Sequence, residues 1–216
     1  MEPPARFVLD NTRPGAPPLV PEIMLYLASE VTPLWAATEA SLEREGLPPP
    51  YWAFAWPGGQ AVARLLLDRP ELVAGRHVLD FAAGSGIVAI AAARAGAARV
   101  LANEIDPFAM AAIGLNAALN GVDVEIAAGD IMGRPQPGID LVLAGDVCYE
   151  RPMAERATRW LRSLAAAGAT VLLGDPGRSY LPQTGLEAVG RHAVPTSMEL
   201  EDREVRETTV WRLLPE

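Results

Sequence analysis

The sequence predicts a single α/β domain: a mostly parallel, seven-stranded, Rossmann-like sheet with helices on both faces and an antiparallel edge. Three observations carry this. From residue 77 onward, short apolar runs alternate with helical stretches and are separated by Gly, Pro or Asp turns. A turn of small residues, within VLDFAAGSGIVA (78–89), joins the first run to its helix. The last two runs, RHAVPTSMEL and REVRETTVWRLL, alternate as antiparallel strands do.

Each element has its own signal. Residues 1–20 are Pro-rich and read as irregular, EIMLYLA (22–28) as a short strand, and Pro33 to Glu45 as a helix carrying Leu34, Trp35, Thr38 and Leu42 on one side. GLPPPYWAFAWPGGQ (46–60) reads as a loop because of its prolines and glycines, with a helix from Gln60 to Asp68 ending before Pro70. HVLDF (77–81) is a buried strand, and GIVAIAAARAG (86–96) is a helix closed by Gly96. ARVLAN (98–103) is the next strand, and the helix at 107–121 opens on Pro107 and closes on Gly121. Strands follow at about 124–128, 139–146 and 169–175, with a helix from Pro152 to about Ala167. Residues 1–60 are therefore expected to form an N-terminal extension that covers the site, and residues 61–216 the domain proper.

Composition narrows the function. At 216 residues the chain has room for one sizeable core. It is half hydrophobic and 21% charged, which excludes a disordered protein. The net charge is −9, and all 18 basic residues are Arg. Such a surface repels a phosphate backbone and attracts a basic protein segment, so no nucleic-acid partner is expected. No apolar run reaches the roughly 18 residues of a membrane span. The opening MEPPARFVLDNTRP places Pro and acidic residues where a signal peptide is apolar, so a cytoplasmic protein is expected. A monomer is expected as well. Cys148 stands alone, which excludes an internal disulfide, and His77 and His192 make no recognisable zinc site with it.

Gly84-Ser85-Gly86 with Ala89 satisfies the loose dinucleotide fingerprint, a weak signal by itself. Asp80, just ahead of the turn, decides against a nicotinamide cofactor. A pyrophosphate at the helix N-terminus would face that carboxylate as a like charge. S-adenosylmethionine has no phosphate, and Asp80 can help to hold the ammonium of its methionine end. Glu104 ends the second strand about 20 residues past the loop, where a carboxylate accepts hydrogen bonds from both ribose hydroxyls. Asp130, after the third strand, is placed to accept from the adenine amino group. Asp106 precedes Pro107 and serves equally well as a helix cap.

Four segments make the reading specific: PYWAFAWPGGQA (50–61), LANEIDPFAM (101–110), GDVCYE (145–150) and GDPGR (174–178). They resemble segments of the electron transfer flavoprotein β-subunit lysine methyltransferases, class I seven-β-strand enzymes that use S-adenosylmethionine. The resemblance spans about residues 22–212; the glycine loop is common to many methyltransferases, while YWxxxWPGGQ together with GDPGR is far more specific. It implies a class I methyltransferase domain over 61–216, transfer to lysine side chains, and electron transfer flavoprotein β-subunit as the protein substrate, with a ribosomal protein as the alternative. Asp146 and Tyr149 match the D-x-x-Y/F motif after the fourth strand, which in related enzymes lines the place where methyl group and amine meet. By the same resemblance Trp56 packs beside the cofactor. The cofactor set is then Trp56, Asp80, Ala82, Gly84, Gly86, Glu104, Asp130 and Asp146. One departure is Ala82, where these enzymes usually carry Gly. Alanine fits readily only at negative φ, so the loop is expected slightly further from the methionine end. Cys148, inside the motif, reads as an inert buried thiol. A small-molecule N-methyltransferase with a lid-closed pocket, and an idle cofactor-binding module, are the competing readings.

Overall fold

The structure, a computed structural model, describes residues 4–28 and 49–215. The expected helix at Pro33 to Glu45 lies outside the described residues. Helix α1 (Pro4–Asn11) leads into the short strands β1 (Arg13–Gly15) and β2 (Leu25–Leu27), which pair antiparallel. A 3-10 turn (Tyr51–Ala53) precedes helix α2 (Pro57–Asp68). The remaining elements are β3 (His77–Phe81), α3 (Ile87–Arg94), β4 (Arg99–Glu104), α4 (Pro107–Asn120), β5 (Glu125–Ala128), β6 (Leu141–Gly145), α5 (Arg151–Ala166) and β7 (Thr170–Asp175). Strand β8 (Leu186–Pro195), the short helix α6 (Met198–Glu201) and β9 (Val205–Leu213) complete the chain.

The main sheet has seven strands in the order β5-β4-β3-β6-β7-β9-β8. Strands β3 to β7 are parallel, and β9 runs against both β7 and β8. This is the expected fold. The chain winds outward from β3 through β4 to β5, then returns to start β6 on the other side of β3. The crevice at the carboxyl ends of β3 and β6 is therefore the switch point, where open α/β sheets bind ligands. Both faces are buried, and successive residues alternate between them. Val78, Leu141, Leu143 and Leu172 face a core with α2 and α3, while Leu79, Val142, Val171 and Leu173 face one with α5. Among the described residues, no helix is long and apolar enough to cross a membrane.

Two expectations for the N-terminal region need correction. Residues 4–11 are helical rather than irregular. Val8 is fully buried, and Phe7 packs on Phe108 of α4 with ring centroids 4.8 Å apart, so a tertiary partner stabilises a helix too short to stand alone. The PGG of residues 57–59 is not loop but the first turn of α2, so a division at residue 60 would cut that helix. Pro57 suits this turn because a first-turn N–H has no partner within the helix. Asn116 and Asn120 of α4 fasten the segment around β2. Asn116 Oδ1 accepts from Tyr26 N–H at 2.7 Å while its amide donates to the Ser85 carbonyl at 2.8 Å. Asn120 bonds both the N–H and the carbonyl of Met24.

Candidate active site

Helix α2 enters the crevice because glycines let it touch the sheet. A methyl group on Gly58 would stand 2.5 Å from Asp146 Oδ2, and closer still to the carbonyl oxygen of Gly174. One on Gly145 would stand 2.7 Å from the backbone nitrogen of Gly59. Three segments, WPGG, GD after β6 and GD at the end of β7, thus share one close packing. Its consequence is polar: Gly59 N–H, in the first turn of α2, donates to Asp146 Oδ2 at 3.1 Å. Asp146 has φ 56, a left-handed conformation that Asp tolerates better than most residues, and this turns its side chain back over the strand ends.

The second Asp146 oxygen, Oδ1, accepts from Arg178 at 3.0 Å. Arg178 is aimed by a tight turn in which Asp175 Oδ1 accepts from the N–H groups of Gly177 and Arg178, each at 2.7 Å. Its guanidinium also meets Glu201 of α6 at 2.6 Å and lies 5.9 Å from the centre of the Trp56 ring. Burial pushes the Asp146 carboxyl up to about 6, outweighing the opposing pull of Arg178.

A cavity of about 290 Å³ opens here. On one side stand Ala82, Gly84 and Glu104; on the other are Asp146 and Arg178, with Tyr51, Trp56 and Tyr149 as aromatic walls. Tyr51 touches Tyr149 and Trp56 at centroid distances of 5.4 and 5.8 Å, and Trp56 Nε1 donates to the Tyr51 carbonyl at 2.8 Å. Tyr149 keeps 46% of its surface exposed, and its phenol is pushed up to about 12, chiefly by burial. A second cavity of about 340 Å³ adjoins the first, sharing Ala82, Glu104 and Met153, and reaches Asp130 and Arg156.

Glu104 holds the loop. Its Oε1 accepts from Gly84 N–H and its Oε2 from Ile105 N–H, both at 2.8 Å. Asp130 is exposed and paired with Arg156 at 2.6 Å, which keeps its carboxyl below the usual range. Asp106 caps α4, accepting from Phe108 N–H at 2.8 Å. Gly86 caps α3 at φ 78, beneath Ile113. Cys148 is buried, and its thiol is pushed up to about 12.

One sequence expectation gives way to the geometry, and a second residue is placed by it. Ala82 is not at negative φ but at 53°, so the loop takes the path glycine would take and alanine bears the strain. Asp80 does not line either cavity. It is 1% exposed, lies under the loop, and accepts from Ala89 N–H in the first turn of α3 at 2.9 Å. Burial, reinforced by Glu104, raises its carboxyl to about 8. Its carboxyl lies beneath the loop, tied to the first turn of α3. Sequence reasoning assigned no role to Arg178, Tyr51, Met153 or Asn116; the GDPGR segment was the signal for Arg178 and YWxxxWPGGQ for Tyr51, and the other two carried none.

Comparison with known proteins settles the kinship. The chain is 37% identical to the electron transfer flavoprotein beta subunit lysine methyltransferase of Xenopus laevis, over 98% of this chain and 87% of that protein. The Homo sapiens protein of the same name is 39% identical, over 97% and 81%. This chain belongs to the electron transfer flavoprotein β-subunit lysine methyltransferase family. The family profile described as ribosomal protein L11 methyltransferase (PrmA) matches residues 65–148, the stretch from α2 through the D-x-x-Y motif's first three residues. The magnesium protoporphyrin IX methyltransferase of Synechocystis PCC 6803, solved with bound SAM, shares the fold at a TM-score of 0.52 and 18% identity, over 72% of this chain and 76% of that one. Membership makes the chain an S-adenosylmethionine-dependent protein-lysine N-methyltransferase.

Proposed function

We propose that this protein methylates lysine side chains of electron transfer flavoprotein β-subunit, and that Asp146 and Tyr149 receive the acceptor amine. The observation that carries the reading is the single cavity in which the Asp146 carboxylate, three aromatic rings and the Glu104-bound glycine loop meet.

The two joined cavities fit S-adenosylmethionine. Glu104 stands at the strand end where a carboxylate can take a ribose diol, and Asp130 lies at the far end of the second cavity, suited to an adenine amino group. Ala82, Gly84 and Gly86 bring the backbone close, Trp56 covers the side, and Asp80 holds the loop from below. When bound, the cofactor supplies a methyl group on a positively charged sulfur. Everything else is the work of this chain. A free lysine amine has a pKa near 10.4, so neutralising it near pH 7.4 costs roughly 4 kcal/mol. The rings of Tyr51, Trp56 and Tyr149 lower that cost by removing water from the ammonium. Asp146 then accepts an N–H of the neutral amine and fixes its direction, and such alignment contributes much of the catalysis. The proton leaves to solvent, and the acidic net charge draws basic segments toward the crevice.

A ribosomal protein is the second reading, favoured by the match of residues 65–148. Incubating the enzyme and labelled cofactor with purified electron transfer flavoprotein, and in parallel with ribosomal protein L11, separates the two. Label is expected on lysines of the flavoprotein β-subunit. Label on the ribosomal protein alone would overturn the assignment.

A further inference from the structure

Both oxygens of Asp146 are engaged by the protein itself. Oδ2 takes the Gly59 amide at the N-terminus of α2, which carries part of a positive charge, and Oδ1 takes the full charge of Arg178. The Arg178 side chain is 17% exposed, and the Glu201 side chain that tethers it is 2% exposed. The Trp56 ring lies against the guanidinium, so Arg178 is held in place by three different elements.

We propose that Arg178 is a positioning residue that neutralises the Asp146 carboxylate in advance, so that the acceptor amine enters the cavity uncharged. The inference rests on the lysine-methylation reading above. Left alone, a buried carboxylate at the amine's end of the cavity would pair with an incoming ammonium. An ammonium has no lone pair and cannot attack a methyl carbon, so the strongest binding would be unproductive. With Arg178 in place the ammonium meets an already neutral pair and a neighbouring cation. A neutral amine is not repelled, and it can still donate to a spare lone pair of Asp146, since a carboxylate has about four acceptor positions.

The charges around this pair decide the sign of each perturbation. Asp175 of β7 and Glu201 of α6 are the acids beside Arg178, and Arg206 of β9 pairs with Glu201 at 2.9 Å. Cys148 and Tyr149 face the pair as neutral groups, with Tyr51 and Glu104 across the cavity and Glu150 behind Tyr149. Glu201 therefore sets how much of Arg178's charge reaches Asp146. Removing the arginine and removing the glutamate should act in opposite directions.

The test measures methylation of the flavoprotein β-subunit by wild type, Arg178→Met, Arg178→Lys and Glu201→Gln at saturating cofactor, over about pH 6 to 10. Arg178→Met should lower kcat near neutrality by ~tenfold or more, leave KM unchanged or lower, and move the acidic limb of kcat upward by about one pH unit. Arg178→Lys, which keeps the charge, should return the limb toward wild type, and Glu201→Gln should move it downward. Calorimetry with the demethylated cofactor product present should show Arg178→Met binding the substrate protein more tightly at neutral pH, an advantage that fades in alkali. If Arg178→Met fails to melt cooperatively, the downward shift expected of Glu201→Gln still carries the test. A limb that stays put in Arg178→Met, or moves upward in Glu201→Gln, would overturn the proposal for Arg178. A wild-type enzyme inactive on every lysine substrate would overturn the function itself.

Discussion

Replacing Gly58 by alanine tests whether the glycine contact between α2 and the strand ends builds the site. The added methyl would stand 2.5 Å from Asp146 Oδ2 and 2.8 Å from its Cγ, with the Gly174 carbonyl oxygen nearer still. A carbonyl in a paired strand cannot swing aside, so α2 must retreat by roughly 0.5–1 Å to restore ordinary contact. Overpacking of this kind costs about 1–3 kcal/mol. The retreat also stretches the Gly59 N–H bond to Asp146, a charge-assisted bond worth about 1.5–3 kcal/mol. Alanine's better helix propensity offsets up to ~1 kcal/mol. The net loss is about 2–4 kcal/mol, which for a domain of this size lowers Tm by roughly 5–15 °C. Gly114 is the internal control. It lies in α4, and a methyl there would meet nothing nearer than 3.9 Å, so Gly114→Ala should raise stability by about 0.5–1 kcal/mol. Calorimetric melts of the two variants beside wild type give the answer. Should Gly58→Ala melt with wild type while Gly114→Ala behaves as described, the close approach of α2 is not what shapes the crevice.

The other residues make distinct demands. Glu104→Ala should weaken S-adenosylmethionine binding roughly ten- to a hundredfold by calorimetry, since it removes a charged acceptor and frees the Gly84 amide; unchanged affinity in a folded variant would remove Glu104 from the site. Asp146→Ala should cut the single-turnover rate at saturating cofactor at least ~100-fold while most cofactor affinity survives, because alignment matters mainly in the transition state; near-normal turnover would place the acceptor elsewhere. Tyr149→Phe should stay within about fivefold of wild type if the ring only walls the cavity, and a loss near that of Asp146→Ala would show that the hydroxyl contacts the amine. Asp80 is raised to about 8 in the fold, so between pH 4 and 8 the native state holds a proton that the unfolded chain has lost, and stability falls as pH rises. Asp106 and Asp146, raised to about 6, share the slope only up to that pH. Asp80→Asn should therefore flatten the loss of stability between pH 6 and 8 by roughly 2–3 kcal/mol in chemical denaturation, and an unaltered slope would show that Asp80 is ionised in the fold.

The parallel core was legible because its physics is local. Strands buried on both faces must be apolar throughout, as in LVLAG and TVLLGD, and Pro107 and Gly121 mark the two ends of α4. The carboxylates Glu104, Asp130 and Asp146 were legible for a related reason: each follows a strand, where such sheets place their ligands. What escaped depends on partners distant in sequence. The helicity of PARFVLDN needs α4 beneath Phe7 and Val8, and nothing within those eight residues announces it. The helical start at Pro57 needs Gly145 and Gly174, which remove the side chains that would obstruct it. Ala82 was read by its intrinsic preference, yet the loop tied at Gly84 by Glu104 imposes φ 53.

The site divides along the switch point, and the division assigns separate tasks to the two halves of the sheet. Strands β3, β4 and β5 deliver Ala82, Gly84, Glu104 and Asp130, a set of backbone amides and carboxylates, with Arg156 of α5 paired to Asp130. Strands β6 and β7 deliver Asp146 and Arg178, which pair with each other and are held in place by α2 and α6. The aromatic wall comes from neither half but from residues 51–56 and Tyr149. The profile match spans both halves: residues 65–148 hold Ala82, Gly84, Glu104, Asp130 and Asp146, and stop short of Arg178.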